Sequence, residues 1–253
     1  MQILKNLKQF IKNKFCLYPY TKIGQSVKIQ KSNIYVEKGS KLVIGKFVNI
    51  NKTTIQLKGN SELIIDDDSI INESVITLVG SKCNLKKGVI LQPHENRKTK
   101  LFSDQSIINI DANVRLIGTS IYSRFESLLE IGEHSGFSGG TEIFCHEHIK
   151  IGKFALVAED VCIYDTNTHS TEAVKRIAEI KTSYPSGLWD KVKPASAPVL
   201  IGENVWIGKG ATILKGSVLK NNCIVGMRAI VVRGNFEENS IIVSSQPRVL
   251  KIK

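Results

Sequence analysis

The chain has 253 residues, 42% of them hydrophobic, and a formal net charge of +12; this suits a soluble protein with a substantial core in one or two domains and excludes a low-complexity or disulfide-held miniature fold. Its five cysteines, Cys16, Cys83, Cys145, Cys162 and Cys223, are odd in number and lack a C-x-x-C pair, which points to free thiols in a reducing compartment. With no long apolar span and no cleavable leader, the reading is a cytoplasmic protein. The positive excess favours a polyanionic partner, but the lysines are scattered and no nucleic-acid-reading module is visible, so nucleic acid is set aside.

Residues 1–18 place Ile3, Leu4, Leu7, Phe10 and Ile11 at helical spacing among Lys5, Lys8, Lys12 and Lys14. They predict a short basic amphipathic helix within an N-terminal segment, 1–21, that either covers an open end of the fold or lies on a membrane surface. From residue 22 to 253 one domain is expected. Aliphatic-glycine anchors recur at Ile23, Gly24 and Val27, at Ile44, Gly45 and Val48, at Val79, Gly80 and Cys83, and at Ile131, Gly132 and Ser135, with two clean units at 151–162. Residues 164–200 interrupt the repeat; STEAVKRIAEI (170–180) reads as two to three helical turns, and the rest as a long loop emerging from the coils.

The repeat is sharpest from residue 201: IGENVW, IGKGAT, ILKGSV, LKNNCI, VGMRAI and VVRGNF. Its first position is always Ile, Leu or Val, and its fifth is small or medium. A period of six matches neither strand alternation nor a helical stripe, so each unit must stack on its neighbours. Three units, about eighteen residues, then make one triangular turn whose interior takes the first and fifth positions. The predicted class is all-β, a left-handed parallel β-helix; an irregular sandwich of short strands does not produce six phased units in succession. Sixth positions point outward, so Trp206 exposes a large ring, with Ile224 one coil beyond it and Thr212, Ile230, Val218 and Phe236 on the same outer surface. Such a surface calls for a cover, most economically another subunit.

The V-W-I-G coil at 205–208, preceded by DTNTHS (165–170), resembles the hexapeptide-repeat acyltransferases, and most closely their sugar and capsular polysaccharide O-acetyltransferase branch. The resemblance implies acetyl-CoA as acyl donor, a sugar or polysaccharide acceptor, and a homotrimer with its sites between subunits. It implies His169 as the catalytic histidine, with Asp165 or Asn167 orienting its ring. Trp206 is implied to line the cleft, and Gly208, Lys209, Arg228 and Arg233 to stand on the donor side. A base is what the chemistry requires, because an alcohol attacks a thioester poorly until its proton leaves. Two other readings stay open on the same fold: an N-acetyltransferase acting on a nucleotide-linked amino sugar, and a non-catalytic glycan-binding scaffold. For each cation a solvated charge is the alternative, and for Trp206 a packed interface aromatic. Cys145, His146 and His148 in CHEH are the one cluster of metal-ligand types; their spacing departs from that of the fold's zinc enzymes, and no metal is expected. His94 and His134 read as surface residues.

Overall fold

The computed structural model describes residues 15–16, 20–183 and 192–244. Among them are thirty strands, β1 (Phe15–Cys16) to β30 (Ile241–Ile242), which fall in strict rotation into three parallel ten-stranded sheets. The chain passes from first sheet to second to third and back, so the sheets form the faces of a triangular prism of ten stacked coils. This is the all-β parallel β-solenoid that the repeat predicts. No helix among the described residues is long and apolar enough to cross a membrane.

Strand alternation builds the core. In Ile55, Leu57, Ile76, Leu78, Ile213 and Ile207 every other side chain turns inward and is fully buried, each contributing about 1.5–3 kcal/mol at most from removal of apolar surface from water. At the narrow inner corners small polar residues stack from coil to coil. The Ser40 hydroxyl accepts the Ser61 N–H at 3.1 Å, Ser61 that of Ser81 at 3.2 Å, and Ser81 that of Ser106 at 3.1 Å, so backbone groups at the turns are satisfied without widening the coil.

Coil length changes along the stack. Asn51 bonds Asn72 across a separation of 21 residues, whereas Glu203 meets Asn221 across 18. The earlier coils carry strands of up to five residues, as in Thr54–Lys58, and the later ones shrink to pairs such as Trp206–Ile207. Gly152 shows how tightly the turns pack: a Cβ there would stand 2.5 Å from the Gly202 backbone of the next coil.

Four expectations need correction. Phe15–Cys16 lies within the segment read as helical, yet it pairs as a strand with Ile34–Tyr35, because the open sheet edge offers hydrogen bonds that an isolated helical turn cannot match; the proposed helical positions before it lie outside the described residues. Leu78, not Val79, turns into the core. The last unit, VVRGNF, is one residue short in register: Gly234 pairs with Ser217, Asn235 with Val218, and Phe236 with Leu219. That slip swaps the two faces, so Phe236 packs against the core while Asn235 takes the outer position. The helix of the excursion, α1, runs over Ala173–Ser183, three residues later than its predicted span.

Candidate active site

The excursion leaves the prism after Cys162–Tyr164 of the first sheet and returns at Val199–Ile201 of the second. Its two legs are zipped together at the root: the Asn167 N–H donates to the Ala195 carbonyl at 3.0 Å, the Ala197 N–H to that of Asp165 at 2.9 Å, and Thr166 bridges Ser196 antiparallel. The root is fastened to the coil before it. Asp165 is fully buried and its two carboxylate oxygens accept the backbone N–H groups of His146 and Glu147 at 2.7 and 2.8 Å. Ser196 donates its hydroxyl to the Glu147 carboxylate at 2.6 Å. Burial pushes the Asp165 carboxyl above its ordinary range, and those N–H groups pull the other way. Asp165 therefore anchors the loop, and Asn167 joins the same ladder through its backbone.

His169 follows directly. Thr168 before it sits at φ 63, a left-handed conformation that a β-branched residue adopts only under constraint and that often marks a functional turn. The His169 side chain is 47% exposed, and its Nδ1 lies 3.5 Å from a carboxylate oxygen of Glu179, whose own side chain is only 12% exposed. Both Glu179 oxygens also receive the Ser170 N–H, at 3.2 and 3.3 Å. One turn earlier on α1, Arg176 donates to the carbonyls of Ser170 and Thr171. The polar side of α1 thus grips the histidine segment, leaving Val174 and Ile177 exposed.

Trp206 stands on the outer surface of the third sheet, 53% exposed, in register with Leu156 before it and Ile224 after it, and Ile224 is followed by Ile241. Beyond Trp206 the chain turns from third sheet to first through Gly208 and Lys209, and Arg228 occupies the matching turn one coil on, its N–H bonded to the Lys209 carbonyl. Gly208 serves the stack, since a Cβ there would meet the Met227 nitrogen at 2.8 Å. The Lys209 ammonium is held by Glu159 at 2.6 Å, on a corner also crossed by the Arg97–Asp160 pair and by His94, 4.0 Å from Glu159. Arg233 lies elsewhere, between Ile230–Val231 of the first sheet and Gly234–Phe236 of the second.

A prism sorts these groups by geometry. The corner between first and second sheets lies opposite the third face, so Arg233 and the root of the His169 loop stand at one corner, Trp206 on the face across from it, and Gly208, Lys209 and Arg228 at the corner between third and first sheets. Sequence reasoning placed these groups in a cleft between subunits; within one chain the face of Trp206 lies across the prism from the root of the His169 loop. It also missed Glu179, whose only signal was its position in a predicted helix soon after the histidine.

The remaining histidines and cysteines go separate ways. Cys145 faces the core, where burial pushes its thiol up to about 12. His146 is buried in the turn, brought down to about 4 by desolvation first and then by Arg124 and Lys193, and its Nδ1 has no hydrogen-bond partner. His148 bonds Glu130 at 2.9 Å, and His134 stacks on Phe154. Among the described residues no three His, Cys, Asp or Glu side chains gather as metal ligands.

The family model described as bacterial transferase hexapeptide (six repeats) matches residues 198–233, the coils that carry Trp206. The chain folds as a parallel β-solenoid whose coils over 198–233 carry the bacterial transferase hexapeptide repeat. Among individual relatives, the putative lipopolysaccharide biosynthesis O-acetyl transferase WbbJ of Escherichia coli (strain K12) is 32% identical over 105 residues, 42% of this chain and 50% of that one, so this chain spans half of its length. The putative acetyltransferase YJL218W of Saccharomyces cerevisiae (strain ATCC 204508 / S288c) is 23% identical over 62% of this chain and 71% of its own. Of the solved structures, the polysialic acid O-acetyltransferase OatWY superposes with a TM-score of 0.52 at 19% identity, covering 92% of this chain and 89% of that one, a likeness of fold alone.

Proposed function

We propose that this protein is an O-acetyltransferase that moves the acetyl group of acetyl-CoA to a hydroxyl of a sugar in a glycan or surface polysaccharide, with His169 as general base. The observation that carries the reading is the presentation of His169, half-exposed on a loop anchored at its root and clamped by α1 just beyond the ring. Kinship with transferases bearing the same repeat supports the acetyl donor and the glycan acceptor. The donor supplies an acetyl thioester. His169 takes the acceptor hydroxyl's proton as its oxygen bonds to the acetyl carbon; the carbon–sulfur bond then breaks and the imidazolium returns the proton to the leaving thiolate.

Because the third face lies opposite the histidine corner, a site using both His169 and Trp206 is built from two copies. We assign His169 and Arg233 from one copy and Trp206, Lys209 and Arg228 from its neighbour, closing as a homotrimer. The exposed column of Leu156, Trp206 and Ile241 is the surface such a neighbour covers.

The test is transfer from acetyl-CoA to a panel of hydroxyl-bearing oligosaccharides. His169→Ala is expected to leave the oligomer intact and lower turnover by about 10²–10⁴-fold, the scale of general-base catalysis. Transfer at the parental rate would remove the assignment.

A further inference from the structure

We propose that Glu179 is the positioning residue for His169: its carboxylate accepts the Nδ1–H and thereby fixes the tautomer in which Nε2 is the nitrogen that takes the acceptor's proton. The proposal rests on the reading of His169 as the base. A neutral imidazole carries one N–H, and the hydrogen bond made by one nitrogen decides which nitrogen is left as base. Bases that act on hydroxyl groups are commonly oriented in turn by a third group. The nearest carboxylate in sequence, Asp165, is not available for this, since both its oxygens are engaged by the N–H groups of His146 and Glu147 within the fully buried root.

Glu179 has the position and the constraint that the role demands. Its Oε2 lies 3.5 Å from Nδ1, the carboxylate is largely withdrawn from water, and both oxygens are steered by the Ser170 N–H. Arg176, on the same side of α1, holds the carbonyls of Ser170 and Thr171 at 2.9 and 3.1 Å. Acid and backbone are therefore fixed with respect to each other, and only the ring has to settle. A separation of 3.5 Å is longer than a hydrogen bond, but catalytic contacts in unliganded sites commonly start long and tighten when substrate binds. The helix of the excursion accordingly acts as a bracket that carries an acid to the histidine.

The experiment uses the full-length chain with ¹⁵N-labelled histidine, the His169 signals being assigned by their loss in His169→Ala. The parental protein is expected to show His169 mainly as the Nδ1–H tautomer, and Glu179→Ala to shift it toward Nε2–H. Turnover in Glu179→Ala should fall by about 10–10²-fold at nearly constant KM, the scale of a misplaced catalytic group, while Lys175→Ala on the exposed side of the helix changes neither readout. Should Glu179→Ala lose helical circular dichroism, the isosteric Glu179→Gln decides: it retains an acceptor oxygen and is expected to keep the tautomer while lowering turnover several-fold. An Nε2–H tautomer in the parental protein, or a tautomer and a rate indifferent to both substitutions, overturns the proposal. The two ideas fail separately: full transfer by His169→Ala removes the base but not the tautomer effect, and an inactive His169→Ala beside an indifferent Glu179→Ala removes only the positioning role.

Discussion

Asp165 carries a mechanical load through two hydrogen bonds. Asp165→Ala strands the buried N–H groups of His146 and Glu147, so denaturant unfolding should show a loss of about 1–3 kcal/mol, accompanied by reduced turnover because His169 hangs from the same root. His146 makes a separate, pH-dependent contribution. Its native value of about 4 lies below the ordinary 6.5, so between these values the unfolded chain binds a proton that the native chain does not. The stability it contributes is complete above pH 6.5 and falls as the pH drops toward 4, by about 1.4 kcal/mol per unit. Comparing unfolding free energies at pH 7 and pH 5, the parental protein should lose about 2 kcal/mol through this group, and His146→Leu should show a correspondingly shallower slope; equal slopes would mean that His146 is protonated in the fold. At this scale His169 and Trp206 were legible as members of short motifs. The use of Asp165 was not, because a carboxylate beside a histidine in sequence reveals nothing of the N–H groups that a neighbouring coil brings to it.

Each coil is three short strands joined by tight turns, and the turns leave the least room. Gly152→Ala is expected to lower stability by about 1–3 kcal/mol, the usual cost of overpacking, seen as a drop of several degrees in Tm, since the obstacle is the Gly202 backbone and not a side chain that can swing away. The six-residue phase from 201 to 230 could be read directly because turns of constant length keep inward positions in step. Before residue 130 the longer strands add about three residues per coil, so a template of six loses phase although Ile34, Ile55 and Ile76 align as neatly as any later trio. The same sensitivity explains Phe236: one residue fewer after Val231 exchanged its destination with that of Asn235. For α1, the existence of a helix was legible from composition, but its orientation was not. Val174 and Ile177 stay exposed, whereas the Glu179 ion pair and the Arg176 carbonyl contacts turn the polar side toward the histidine segment.

At the scale of the whole molecule, the proposed site, shared between two copies, predicts complementation. His169→Ala and Trp206→Ala chains, each impaired alone, should regain activity when co-assembled, because some interfaces then join an intact histidine to an intact tryptophan; random mixing in a ring restores about a quarter of the sites. No recovery would place the whole site within one chain. The separation itself was hidden in the sequence, where His169 and Trp206 look like neighbours interrupted only by a loop, until the three-sheet rotation assigns them to a corner and the face across from it. The detour between Tyr164 and Val199 has one more consequence. Ile163 pairs with Ile213, and Ile151 with Ile201, as though nothing intervened, and the entropy of closing a loop grows only logarithmically with its length. The solenoid is thus a rack with exchangeable fittings: with Asp165 and Ser196 kept as the clasp and His169 and Glu179 kept between them, the rest of the segment is free to change in length and sequence in evolution while the scaffold that bears it stays unchanged.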